Sequence, residues 1–162
     1  MPRPLPTPSR EEKRRMRSAS RLFAVQALFQ MEQSGQPMPD VREQFESHRF
    51  GAELDGDTYS EGDVDLFRKT LSDALDRQGE IDRATDKALV ERWPLGKIDP
   101  TLRALFRAAG AELAASTTPP KVVITEYVDV AKAFFTDGKE AKFVNAVLDH
   151  MARQFKPEAF DG

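Results

Sequence analysis

Arg10, Arg14, Arg15, Arg17 and Arg21, with Lys13 among them, crowd into twelve residues of the stretch SREEKRRMRSASR. The planar fork of a guanidinium pairs with phosphate through two parallel hydrogen bonds and also stacks on a base, so the chemistry on offer is recognition of an RNA chain rather than bond making. At about 100° per residue, Arg10, Arg14, Arg17 and Arg21 fall within an arc of roughly 60°. The same arc runs on into Ala24, Val25 and Leu28. A stripe that starts basic and ends apolar predicts one long helix whose second half packs into a core. Its first half must project past that core or lie along its rim, because burying four unpartnered guanidinium groups is prohibitive. The competing reading is an ordinary solvated helix face. Against it, residues 1–21 hold seven Lys/Arg and only two Glu, so Glu11 and Glu12 cannot neutralise the run. Residues 40–92 hold fifteen Asp/Glu against eight Lys/Arg, and the chain as a whole carries a net charge of −3. A basic end on an acidic molecule attracts phosphate while discouraging indiscriminate coating of nucleic acid.

Other chemistries lack their residues. The chain has no cysteine, which removes disulfides, thiolate metal sites and cysteine nucleophiles, and fits a reducing, cytoplasmic setting. His48 and His150 stand far apart with no metal-ligand companion at helical or finger spacing, and both read as structural or surface residues. Nothing marks a general acid/base pair, and no glycine-rich phosphate loop follows a strand. The sequence therefore implies no cofactor, no metal and no catalysis. Two aromatic residues stand apart: Phe29 projects on another side of the first helix from the arginine arc, and Trp93 sits in a polar turn ended by proline, where it plugs a junction between sub-bundles.

The elements that must position these groups are helices. Ser9 with Glu12, Asp40 with Glu43, Ser60 with Asp63 and Asp137 with Glu140 have the spacing of N-terminal caps, and Asp99-Pro100 and Thr118-Pro119 place a cap before a first-turn proline. Gly35, Gly51, Pro94 and Pro157 supply stops, which gives six helices. Gly79 falls inside the third and predicts a bend or a close neighbour. KVVITEYVDVAKAFF is rich in β-branched residues, but Val123, Ile124, Tyr127, Val128, Ala131, Phe134 and Phe135 recur at helical spacing rather than alternating. No strand is expected, and the fold class is all-α: a compact bundle of two small three-helix sub-bundles. Residues 1–8 read as a flexible lead-in, 9–156 as a single domain and 157–162 as a short tail, with a mobile acidic loop at 51–60. No apolar run reaches the length of a membrane span.

Three segments taken in order, RSASRLFAVQALFQ, PPKVVITEYVDVAKAF and KFVNAVLDHMA, resemble the NusB family of bacterial transcription antitermination factors, over roughly residues 12–153. The resemblance implies a non-enzymatic, all-helical protein that pairs with the small-subunit ribosomal protein NusE. It further implies binding to the boxA element of nascent ribosomal RNA and assembly of an RNA polymerase antitermination complex. On that likeness Arg14, Arg15, Arg17 and Arg21 match the RNA-facing segment, and Lys139 and Lys142 its other edge. Phe29 stands on the NusE-facing surface. Leu102 occupies a partner-contacting position where an acid is frequent. Glu126 and Asn145 match typical positions expected to hold helix ends and turns together. The basic residues in RSASR are spread more widely than the family's tight run.

Two alternatives stay open at this point. One is the RNA-substrate domain of an RNA methyltransferase, although the chain as read to Gly162 carries no methyl-donor fold. The other is an adaptor that binds only protein, with its arginines aimed at an acidic partner. Self-association through apolar surface near the first helix is a further expectation. If the arginines form an open RNA ridge, replacing Arg17 and Arg21 with alanine should weaken RNA binding and leave thermal stability nearly unchanged.

Overall fold

The structure, a computed structural model, describes residues 9–50, 62–89, 98–136 and 138–160, together with the backbone of 52–54 and 57–59. Seven α-helices account for most of it: α1 (Arg10–Ser34), α2 (Met38–Arg49), α3 (Val64–Asp76), α4 (Gln78–Ala88), α5 (Pro100–Ala115), α6 (Pro120–Phe134) and α7 (Lys139–Phe155). A 3-10 turn at Pro157–Ala159 follows. The all-α class holds. Two three-residue strands, Ala52–Leu54 and Asp57–Tyr59, pair antiparallel between α2 and α3, a small ribbon that the acidic composition of this stretch concealed.

The seventh helix comes from splitting the predicted third one. α3 ends at Arg77, whose N–H donates to the carbonyls of Asp73 and Leu75, and α4 begins at once. The bend expected at Gly79 thus falls two residues earlier. A Cβ on Gly79 would meet only the tip of Arg83, so no close neighbour demands glycine there.

Several caps act as their sequence suggests. Ser9 Oγ accepts from the Glu12 N–H, Asp99 accepts from the Thr101 N–H, and Gly35 ends α1 in the left-handed region at φ 74°, where glycine carries no Cβ penalty. Others shift. α2 starts at Met38 after Pro37, which places Asp40 inside the first turn; α3 is capped by Asp63, accepting from the Leu66 N–H; α6 starts after Pro119 with no side-chain cap. The stops at Gly51 and Pro94, the starts at Ser60 and Asp137, and Trp93 lie outside the described residues. α6 is helical through its β-branched run because one face, Val123, Ile124, Tyr127, Val130 and Ala131, is buried as a stripe.

The helices do not divide three and three. α1, α2 and α3 pack together, and α5 then touches α1, α3, α4, α6 and α7, so it is the shared centre. Its sequence explains this position: Ala104, Ala108, Ala109, Gly110 and Ala111 are all buried, and small residues let several helix backbones approach one axis. A Cβ on Gly110 would lie 2.4 Å from Ile81 Cγ2 of α4. The first group closes over an aromatic cluster, with ring centroids 5.4 Å apart for Phe23 and Phe50 and 5.0 Å for Phe50 and Phe67. The carbonyls at the end of α5 receive Lys69 Nζ at Ala115 and Lys156 Nζ at Ser116, where positive charge suits the helix dipole.

Candidate nucleic-acid interface

The core leaves the beginning of α1 uncovered. From Arg10 to Ala19 no residue is buried; Ser20 is the first that is, and from there Arg21, Phe23, Ala24, Val25, Ala27 and Leu28 sink into the bundle. At 1.5 Å per residue the uncovered part is about 15 Å long. Arg10, Arg14, Arg15 and Arg17 are exposed, and none makes an ion pair or side-chain hydrogen bond among the described residues. Arg10, Arg14 and Arg17 share one face, while Arg15 points about 140° away from Arg10 on the helical wheel.

Arg21 does not belong to this ridge, although it has the same azimuth. It is 3% exposed; its Nε donates to Glu112 Oε2 at 2.8 Å and its Nη2 to Oε1 at 3.0 Å, a bidentate pair with a carboxylate that is itself 3% exposed. Glu126 lies 3.6 Å from Nη1, and Tyr127 donates its hydroxyl to Glu112 at 2.5 Å. Ser18 donates to Glu126 at 2.8 Å. Burial works against the charged guanidinium, but the Glu112 carboxylate outweighs it and holds the pKa of Arg21 above its ordinary value. Burial first, and then the neighbouring carboxylate, push the Tyr127 phenol well above its usual value, so it remains a hydrogen-bond donor. The expectation that Arg21 contacts RNA is therefore corrected: its donors are spent inside the protein, one turn beyond the point where α5 and α6 begin to cover α1.

Lys139 and Lys142 are exposed on the first turn of α7, which starts after Gly138, at φ 80°, with no side-chain cap. Asn145, expected to hold a turn together, is instead exposed in mid-helix on the Lys142 side and makes no side-chain hydrogen bond among the described residues. Glu126 joins α6 to α1 through Ser18 rather than closing a helix end.

Of the two residues expected to meet a protein partner, Phe29 is 36% exposed and Leu102 is only 7% exposed, part of the core. Leu102 cannot offer its side chain to a partner without leaving the bundle. Its neighbour Arg103 reaches the surface and pairs with Glu32 of α1. Phe29 borders a cleft of about 390 Å³ shared with Gln26, Gln33, Phe45 and Arg49. The Arg49 guanidinium sits 5.9 Å from both the Phe23 and the Phe45 ring centroids, and the Gln26 amide oxygen is buried without a hydrogen-bond partner among the described residues. Sequence reasoning missed Arg49 and Gln26. It also missed Glu112, whose signal was present as a single acid in the apolar run RAAGAELAA. His48 is exposed, and His150 meets Gln154 at 2.9 Å. Among the described residues no group of three or more His, Cys, Asp or Glu side chains could hold a metal ion, and no helix is long and apolar enough to cross a membrane.

The fold is thus a helical bundle that leaves a basic helical overhang and an aromatic cleft uncovered. Residues 18–153 match the NusB family, and the chain belongs to it. The family is one of transcription antitermination factors and not of enzymes. The transcription antitermination protein NusB of Rhodopseudomonas palustris is 44% identical over 156 residues, covering 96% of this chain and 92% of that one. Among solved structures, NusB of T. maritima superposes with a TM-score of 0.70 at 25% identity, over 88% of this chain and 95% of the other. The antitermination factor NusB in a complex with NusE and double-stranded RNA superposes with a TM-score of 0.68 at 22% identity, over 85% and 96% of the two chains, a likeness of fold.

Proposed function

We propose that this chain binds boxA-type single-stranded RNA of nascent ribosomal transcripts and acts with the ribosomal protein NusE to assemble a processive antitermination complex on RNA polymerase in the cytoplasm. The observation that supports this most directly is the row of exposed guanidinium groups of Arg10, Arg14 and Arg17 on the uncovered part of α1, unpaired among the described residues. The acids that α5 and α6 bring to α1 do not compete with a phosphate backbone laid along that row, because they are engaged elsewhere: Glu126 with Ser18 and Glu112 with Arg21. Arg15, on another side of α1, and Lys139 and Lys142, exposed on the first turn of α7, are the further cations assigned to the RNA. The partner protein is assigned to the Phe29 cleft, where an aromatic ring, the Gln26 amide and the Arg49 cation combine apolar and polar contacts. In the absence of NusE the same face is available to a second copy of the chain.

A titration of the protein with a boxA oligomer and a scrambled oligomer, across a salt series and with or without NusE, tests the assignment. Each phosphate contact on a single strand contributes about −0.7 to the slope of log affinity against log salt. Arg14→Ala with Arg17→Ala should therefore flatten the slope by about 1.4 and leave the thermal midpoint within 1–2 °C or so of the parent, as surface substitutions do. Equal affinity for the two oligomers in the presence of NusE, or a salt slope unaffected by the double substitution, refutes it.

A further inference from the structure

We infer that the buried network of Arg21, Glu112, Tyr127, Glu126 and Ser18 is a positioning device that sets the direction of the α1 overhang, so that RNA affinity depends on residues that RNA never touches. This rests on the RNA-binding reading above. Where the uncovered part of α1 passes into the buried part, hydrogen bonds hold the helix on two sides within residues 16–21. On one side Ser20 Oγ accepts from the Asp63 N–H at 2.6 Å and donates to the Asp63 carbonyl at 2.7 Å, while the Met16 carbonyl accepts from the same N–H at 3.3 Å. On the other side Ser18 and Arg21 are tied to Glu126 of α6 and Glu112 of α5. From residue 16 towards the N-terminus, no further hydrogen bond joins α1 to another element among the described residues, since the Ser9 cap is local to the helix.

The geometry is that of a lever. Arg10 is eleven residues from Arg21, about 16 Å along the axis, and Arg17 about 6 Å. A tilt of about 10° at the attachment displaces Arg10 by roughly 3 Å, the full length of a hydrogen bond, and Arg17 by only about 1 Å. Binding groups need to be held within about 0.5 Å and 10–20° of their working geometry; core packing from Ala19 to Leu28 sets the axis of α1, and the pins at residues 16–21 are the polar contacts that hold it where the overhang begins. The network suits that task. A bidentate guanidinium–carboxylate pair fixes orientation as well as distance, and Tyr127, wholly buried on α6, fixes the carboxylate in turn. Three helices are thereby joined at one carboxylate.

The test uses the natural absence of cysteine. Spin labels on Glu11→Cys at the overhang and Thr125→Cys on the exposed face of α6 report the distribution of distances between them, and RNA titrations are run on the same proteins without labels. Tyr127→Phe removes one hydrogen bond to Glu112 without changing charge or ring volume; Ser18→Ala removes the outer bond to Glu126 and is the second variant should the first fold poorly. The expected result is a broadened distance distribution, a roughly threefold to tenfold loss of affinity for the boxA oligomer, and a salt slope flatter by about 0.7 for each phosphate that a distal arginine no longer reaches. A network with only a structural role would lower the melting temperature and leave distribution, affinity and slope unchanged at temperatures well below melting. That outcome overturns the inference, as does broadening without loss of affinity or loss of affinity without broadening. If the parent protein fails to prefer boxA RNA, the functional reading falls, and the distance distributions still decide whether the network orients α1.

Discussion

Replacing Arg21 with alanine separates its structural role from that of its exposed neighbours. The substitution removes a guanidinium that is 3% exposed and leaves Glu112, equally shielded, with the Tyr127 hydroxyl as its one strong donor. Removing one partner of a buried ion pair costs about 3–5 kcal/mol, because the remaining charge stays desolvated. A domain of this size has a total stability of about 5–15 kcal/mol, so the variant sits near the edge of folding. With roughly 2–4 °C per kcal/mol, the melting temperature should fall by about 6–20 °C. Urea unfolding followed by far-ultraviolet circular dichroism measures the loss directly, and an unchanged m value shows that the same surface is exposed. Arg17→Ala, four residues away on the same helical face, should stay within about 0.5 kcal/mol of the parent. A triple variant, Arg21→Met with Glu112→Leu and Tyr127→Phe, removes the charges and the phenol that would otherwise be orphaned, and should recover most of the stability, since apolar replacements of buried pairs are often neutral or better. If Arg21→Ala loses less than about 1 kcal/mol while RNA affinity drops as it does for Arg17→Ala, Arg21 is a surface ligand after all and the reasoning from burial is wrong.

Two further outcomes follow from the packing. Glu32 receives hydrogen bonds from Arg103 and Arg107, and the Arg103 hydrogen bond, followed by the charges of both arginines, outweighs burial to hold its carboxyl below the ordinary range; a depressed folded pKa stabilises above the unfolded value, so Glu32→Gln should flatten the loss of stability as pH falls below about 4.5 in acid titrations, and an unchanged acid limb contradicts the pairing. Gly110→Ala drives a Cβ to 2.4 Å from Ile81 Cγ2 and 3.2 Å from Met151 Cε; overpacking of about 1–3 kcal/mol exceeds the helix-propensity gain of about 1, so urea unfolding should show a net loss, relieved in part by Ile81→Ala, and a stabilised variant refutes the close approach of α4 and α5.

Most helices were legible because each carries its own period and several their own caps. The β-branched α6 shows how far that goes: a stripe at 3.6 spacing outweighs local strand preference when a core lies on one side. The α3–α4 break was harder to see, since the apolar period runs straight through it, and the chain turns at Arg77 so that both faces can reach α5. The cap at Asp63 was blurred by an equally good capping pattern at Ser60 just ahead of it. Leu102 was misplaced because a position near a helix start tells nothing of azimuth relative to a core that other helices build.

The amino-acid order alone settled that this chain is helical, that its positive charge gathers at one end and that one helix carries both the basic stripe and core residues. It could not tell Arg17 from Arg21, which have the same side-chain chemistry and nearly the same azimuth. Their difference comes from where α5 and α6 end against α1: residues 91 and 105 positions later in the chain, Glu112 and Glu126, are brought to one guanidinium and not to the other. Local sequence sets the direction in which a side chain leaves its helix. Only the packed neighbours decide whether water or a buried carboxylate waits there, and that choice separates an arginine open to an RNA phosphate from one that ties the protein together.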